Sequence, residues 1–227
     1  MNNLAIIPAR SGSKGLKDKN IKELNGLPLL GYSVRAALDS GKFSHVMVST
    51  DSEVYAKIAV DCGAQVPFLR DNTSATDGAS SWDVVREVLN KYREMGITFE
   101  TVTLLQPTSP LRTAQDIKNA YDLFDSKNAK SVIAVCEMEH SPLWSNTLPE
   151  SLSMDGFLSN ATNRQRQQLS TYYRINGSIY IVNVEHFLSG GEIYGADSYA
   201  YIMPAERSVD IDTGLDFLIA ETVMNNI

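Results

Sequence analysis

Arg10, Lys14 and Lys19 lie within a single short stretch, interleaved with Ser11, Gly12, Ser13 and Gly15. Small residues between cations suit the binding of phosphate. Gly12 and Gly15 let the backbone come close to a ligand, so its N–H groups can point at anionic oxygens. The three side chains supply the fixed positive charge that a triphosphate requires. Neither of the two common phosphate loops is present, since both G-x-x-x-x-G-K-[ST] and G-x-G-x-x-G fail. The competing reading is a solvated basic turn after an edge strand, for which Gly, Ser and Lys are ordinary residues.

A second constellation stands near the other end of the chain, Asp210-Ile211-Asp212. Residues two apart in a strand face the same side, so both carboxylates can enter one cavity while Ile211 turns to the core. Two such anions side by side call for a cation, and Mg²⁺ is the natural one beside a triphosphate. Taken alone the pattern also fits an exposed strand end or a helix N-cap, with Asp212 or Thr213 as the cap. Together with the basic loop it describes metal-assisted nucleotidyl transfer: cations on the β- and γ-phosphates, and a metal between the carboxylates and the α-phosphate.

The elements that must carry these groups alternate. Leu4-Ala5-Ile6-Ile7 reads as a buried strand opening directly into the basic loop. Helical spacing follows over 29–38, a strand over 45–50, a helix over 52–62, a short strand over 65–69 and a helix over 80–95. A strand over 101–105 ends in the turn Gln106-Pro107-Thr108-Ser109-Pro110, and a helix over 115–124 and a strand over 131–135 follow. This rhythm predicts an α/β fold, a mostly parallel sheet with helices on both faces and a ligand crevice at the carboxyl ends of its strands. The basic loop, Asp51 and the Gln106 turn all fall at such ends. The rhythm breaks over 137–174, which is rich in Asn, Gln, Ser and Arg and reads as an inserted arm. Strand character resumes over 178–183, and a closing helix covers 213–224. The expected organisation is therefore one α/β domain of residues 1–136 and 175–227, with the arm between.

The bulk numbers narrow the partners. A chain of 227 residues that is 43% hydrophobic can bury a full core. A formal charge of −7 argues against a nucleic-acid partner, and a local cationic loop on an acidic surface points to a small focused anion. Cys62 and Cys136 are too few and too far apart for a disulfide framework or a zinc site and read as buried free thiols. No segment is long and apolar enough to span a membrane, and the N-terminus lacks a secretory pattern, so a reducing cytoplasm is expected.

The chain resembles the CMP-sialic acid synthetases, or acylneuraminate cytidylyltransferases. The resemblance rests on Ile7-Pro8-Ala9-Arg10-x-x-Ser13-Lys14-Gly15 with Lys19-Asn20 behind it, Ser49-Thr50-Asp51, Leu105-Gln106-Pro107-Thr108-Ser109-Pro110-Leu111-Arg112, Arg166-Gln167-Gln168, Asn176-Gly177-Ser178-Ile179-Tyr180 and Asp210-Ile211-Asp212-Thr213. Kdo cytidylyltransferases share the opening Pro-Ala-Arg but usually lack its continuation. The resemblance implies a Rossmann-like nucleotidyltransferase sheet that activates a nine-carbon acid sugar with CTP and Mg²⁺, releasing pyrophosphate.

By position, it implies that Arg10, Ser13 and Lys14 hold the CTP phosphates and that Lys19 adds charge near the α-phosphate. Asn20, Arg70, Ala79, Ser80 and Ser81 would meet cytosine and ribose. Ser81, Gln106, Arg166 and Tyr180 would contact the sugar, Arg166 gripping its carboxylate in two-point fashion. Asp210 and Asp212 would carry the metal. The 137–174 segment would be a dimerisation arm, giving a homodimer with shared active sites. One departure stands out. Some bacterial members carry a Lys shortly after the His-x-Pro of the arm, whereas this chain has His140-Ser141-Pro142-Leu143-Trp144. Trp144 either packs at a dimer contact or shapes the pocket for another acid sugar, such as legionaminic or pseudaminic acid. A sugar nucleotidyltransferase using UTP or GTP, or taking Kdo as acceptor, is the second enzyme reading, and a non-catalytic nucleotide- or sugar-binding regulator is the alternative of another class.

Overall fold

A computed structural model describes residues 2–12, 15–71, 80–158 and 169–226. The first strand, β1 (Asn3–Pro8), is buried along nearly its whole length, which requires cover on both faces. Alternation supplies that cover. Ala5 and Ile7 pack with Val34, Ala37, Ile117 and Tyr121 on one side, and Leu4 and Ile6 pack with Val84, Val88 and Tyr92 on the other. A short hairpin, β2 (Glu23–Leu24) and β3 (Leu27–Pro28), follows the basic loop and leads into helix α1 (Leu29–Ser40). Then come β4 (His45–Ser49), α2 (Glu53–Asp61), α3 (Ser81–Glu94), β5 (Thr101–Leu104), α4 (Ala114–Lys127) and β6 (Ser131–Glu137). The last third holds β7 (Tyr173–Asn183), α5 (Val184–Leu188), β8 (Ser198–Ile202) and α6 (Gly214–Met224).

The main sheet runs β4-β1-β5-β7-β6-β8. β1 pairs in parallel with β4 and β5, and β6 in parallel with β8, while β7 is antiparallel to both its neighbours. The expected Rossmann-like, mostly parallel sheet with helices on both faces is thus present, with one strand reversed. That reversal carries Asn176 and Gly177, near the start of β7, to the edge where β1 and β5 end. The helices start where local chemistry says they must: Ser80 with Asp83, Thr113 with Asp116 and Thr213 with Asp216 form reciprocal capping boxes for α3, α4 and α6.

Three expectations fail. The strand expected over 65–69 shrinks to a single bridge between Gln65 and Met47, because only the Gln65 backbone reaches β4. β8 and the β2–β3 hairpin did not register in the sequence, being short and weakly patterned. Most consequential, Asp210-Ile211-Asp212 is not a strand. It is an irregular strap between a 3-10 turn at Ala205–Arg207 and the N-cap of α6. The inward orientation of Ile211 survives, since it is fully buried with Leu24, Leu29, Phe217 and Ala220, and Leu16 packs against the same cluster. Between β6 and β7, the described residues form only a 3-10 turn at Pro142–Trp144 amid exposed chain. No described helix is long and apolar enough to cross a membrane.

Candidate active site

The basic loop leaves β1 at Pro8 and returns to regular structure at the 3-10 turn Lys19–Ile21. Asn20, buried at that turn, donates from Nδ2 to the carbonyl of Arg10 at 3.2 Å, closing the loop on itself. Gly12 has φ +72, a conformation costly for side chains other than glycine. Gly15 has a different reason to be glycine. A Cβ there would lie 2.5 Å from the carbonyl oxygen of Asp212, so its bareness admits another part of the protein, where the sequence suggested a ligand.

That contact joins the two ends of the chain. Lys19 Nζ lies 2.7 Å from Asp212 Oδ1 and donates to the carbonyl of Ile211 at 2.9 Å. The strap is fastened from below as well: Ile211 N donates to the Thr108 carbonyl at 2.8 Å, and Asn176 Nδ2 donates to Ser208 Oγ at 2.9 Å. Farther back, Arg207 clasps the buried Asp116 carboxylate with Nη2 at 2.8 Å and Nε at 3.1 Å. Burial opposes the charge on Asp116, yet the Arg207 and Thr113 hydrogen bonds hold its carboxyl below the usual carboxylate range.

The two aspartates have different surroundings. Asp212 is exposed and paired with Lys19, whereas Asp210 is partly buried and its Oδ1 has no hydrogen-bond partner among the described residues. Burial chiefly, and the Asp212 charge in addition, raise the Asp210 carboxyl. Thr108, Lys19 and Arg174 pull it back. An orphaned carboxylate oxygen beside a second carboxylate is a donor set that suits a hard, oxygen-seeking cation. Two carboxylates are enough for Mg²⁺, which completes its shell with water and phosphate, and no larger acidic or His/Cys cluster exists among the described residues.

Arg70 lies buried behind the same rim. Its Nη2 donates to the Ser49 carbonyl at 2.8 Å and its Nε to Ser49 Oγ at 3.2 Å, which fixes it to the end of β4. Burial lowers its pKa, the neighbouring Arg10 lowers it further, and Asp51 and Glu87 act in the opposite sense.

The remaining expected residues that the structure describes lie on or beside β5, β7 and α3. Gln106 follows β5, and its side chain lies against Gly177, where a Cβ would collide with Gln106 Oε1. Arg112, fully buried, ties this turn down: Nη1 donates to the Ser178 carbonyl at 2.8 Å and to the Gln106 carbonyl at 3.4 Å, and Nη2 donates to Ser33 Oγ. Burial depresses its pKa to about 9. Trp82, next to Ser81 at the start of α3, meets Tyr180 edge-on with ring centroids 5.8 Å apart. Burial, with the Tyr194 and Asp210 charges behind it, pushes Tyr180 up to about 12, so it stays a neutral hydroxyl.

The structure therefore joins Asn20 to Arg10 and Lys19 to Asp212, the neighbour of Asp210, and sets Trp82, beside Ser81, against Tyr180 and Gln106 against Gly177. Ser80, expected at the nucleotide, is committed to capping α3 through Asp83. Ser13, Lys14, Ala79 and Arg166 lie outside the described residues. The sequence reading assigned no role to Arg174, Arg112 or Asp51. The last two stand inside quoted motifs, and Arg174 carried no local signal.

Comparison with known proteins bears on the family and the fold. Residues 4–212 match the family model described as cytidylyltransferase. The chain is 37% identical over 220 residues, 96% of its length, to an N-acylneuraminate cytidylyltransferase of Streptococcus agalactiae serotype V, and spans about half (52%) of that protein. It is 35% identical over 228 residues to a CMP-N,N'-diacetyllegionaminic acid synthase of Legionella pneumophila, covering 97% of this chain and 95% of that one. Its fold matches a solved CMP:2-keto-3-deoxy-manno-octonic acid synthetase complexed with CTP, with a TM-score of 0.72, 16% identity and coverage of 100% and 99%.

Proposed function

From the premise that this chain belongs to the cytidylyltransferase family, we propose that it activates a nine-carbon acid sugar of the sialic type with CTP, yielding the CMP-sugar and pyrophosphate. The observation that carries the reading is the meeting of Lys19 with Asp212 at 2.7 Å. It brings a cationic turn after the first strand against a carboxylate pair from the far end of the sequence, the arrangement a triphosphate and its divalent cation need.

In this reading the sugar's anomeric oxygen attacks the α-phosphorus. One P–O bond forms, the bond to the pyrophosphate oxygen breaks, and the hydroxyl proton departs to solvent. Arg10, with Ser13 and Lys14, holds the phosphate tail, and Lys19 offsets charge building on the α-phosphate. Asn20 and Arg70, with Ala79 and Ser81, border the base and ribose. Gln106, Arg166 and Tyr180 orient the acid sugar, so the reaction is driven by positioning and charge neutralisation. Mg²⁺, held by Asp210 and Asp212, would supply charge at the α-phosphate and acidify the attacking hydroxyl.

The segment 137–174 is read as an arm to a second subunit. Leu148, Leu152 and Met154 along it, and Tyr173, Ile175 and Ile202 where it joins the sheet, are exposed apolar side chains, and covering them in a homodimer suits their chemistry. A cytoplasmic location, where Cys62 and Cys136 stay reduced, accords with this activity.

The match to the legionaminic acid synthase along nearly its entire length favours a second reading, a neighbouring nonulosonic acid as acceptor. Pyrophosphate release, measured with each of the four nucleoside triphosphates, Mg²⁺ and a panel of neuraminic, legionaminic, pseudaminic and Kdo acids, tests both. CTP with a nine-carbon acid should be the productive pair. Release only with another nucleotide, or with none of the acids despite CTP binding, would overturn the proposal.

A further inference from the structure

Asp51 and Tyr55 sit at the N-terminal turn of α2, outside the residues assigned to the nucleotide, yet they hold the basic loop at both of its ends. At the near end, Asp51 Oδ1 accepts from Ser11 N at 2.8 Å and Oδ2 accepts from Ser11 Oγ at 2.8 Å. At the far end, buried Tyr55 donates from its hydroxyl to Asp18 Oδ1 at 2.9 Å. Asp18 needs such a hold. Its φ is +53, in the left-handed region, and its side chain does not cap the turn it precedes. Directly after it comes Lys19, whose ammonium group reaches Asp212. α2 is itself anchored, because Ser52 caps it by accepting from Tyr55 N.

We propose that Asp51 and Tyr55 are positioning residues for triphosphate binding, a two-point clamp through which α2 sets the span and height of the cationic loop. This rests on the loop being the triphosphate cradle. The arrangement runs against simple electrostatics: an anionic Asp51 beside Arg70, and bonded to the loop that carries Arg10, lowers the positive potential that attracts phosphate. Its place there is explained by geometry, since a carboxylate accepts both Ser11 hydrogens at once. Burial opposes that charge, while the Ser11 hydrogen bonds and Arg70 keep the carboxyl below its ordinary range, so the clamp stays closed at neutral pH.

The test compares Asp51→Ala, Asp51→Asn, Tyr55→Phe and Arg10→Ala with the parent protein. Calorimetry measures the binding of CTP and of inorganic tripolyphosphate, and steady-state kinetics measures KM for CTP and for the acid sugar. Asp51→Ala should weaken both phosphate ligands about tenfold, the loss of roughly one charge-assisted hydrogen bond. The KM for CTP should rise while that for the sugar holds. Asp51→Asn keeps an acceptor for Ser11 N and a donor for Ser11 Oγ, so it should restore affinity to within about twofold of the parent. Tyr55→Phe, a small change that preserves packing, should cost about threefold. If Asp51→Ala and Asp51→Asn both bind tripolyphosphate as tightly as the parent or tighter, Asp51 acts by charge and the clamp is refuted. Arg10→Ala separates the two ideas. Unchanged tripolyphosphate binding in that variant removes the cradle itself, whereas loss in Arg10→Ala with none in Asp51→Ala or Tyr55→Phe removes only the clamp.

Discussion

Replacing Gly15 by Ala probes the joint on which the site depends. The new Cβ would sit 2.5 Å from the Asp212 carbonyl oxygen, and that neighbour is backbone, which cannot swing aside as a side chain can. Restoring ordinary contact moves the loop and the strap apart by roughly 1 Å. Lys19 spans this joint with bonds of 2.7 Å to Asp212 and 2.9 Å to the Ile211 carbonyl, and both would pass out of good hydrogen-bonding range. A displacement of about 1 Å at a reacting centre costs on the order of 10²-fold in turnover, equivalent to about 2.7 kcal/mol of transition-state stabilisation. The fold should lose far less, about 1 kcal/mol or roughly 3 °C in Tm, because the overpacking falls on one exposed loop. Pyrophosphate release under saturating CTP and Mg²⁺ gives kcat, and a thermal melt gives Tm. Gly96→Ala is the control: its φ of +77 adds a backbone strain that Gly15 does not carry, nothing lies within 4 Å of its Cβ, and its turnover should match the parent. A Gly15→Ala protein whose kcat stays within threefold of the parent would show that the loop and the aspartates need not meet.

Asp212→Asn should lower kcat by about 10² while Tm moves little, because the carboxylate is exposed, and near-normal turnover at saturating Mg²⁺ would exclude a metal role. Gly177→Ala should raise the KM for the acid sugar about tenfold and leave the KM for CTP unchanged, since its Cβ displaces the Gln106 side chain; an unchanged sugar KM would remove Gln106 from that subsite. Asp116→Asn should lower Tm by about 10 °C at pH 7, reflecting roughly 3 kcal/mol for breaking a buried pair. The folded-state pKa of Asp116 lies below its unfolded value, so this contribution is complete above the unfolded pKa of about 4 and fades as pH falls through the folded one. The parent and variant melting temperatures should therefore converge in acid, and a gap that did not narrow as pH falls would contradict the ion-pair account.

Much of this was legible along the chain because it is local. A strand that opens into a basic loop, the helices over 80–95, 115–124 and 213–224, and Thr213 as a helix cap each follow from residues within a few positions of one another. The alternation of strand and helix was enough to predict a mostly parallel sheet with helices on both faces. The sequence also carried the resemblance to acylneuraminate cytidylyltransferases, and family membership agrees with it.

The folded structure decided the rest, since those features depend on residues far apart in sequence. Lys19 and Asp212 are 193 positions apart, and nothing local announces that they touch. The bareness of Gly15, the reversal of β7 that brings Gly177 under Gln106, and the reach of Asp51 and Tyr55 across to Ser11 and Asp18 are set by packing between elements. Composition and period tell which side a residue faces. Only the closed chain, with its entropy already spent on one arrangement, determines what it faces.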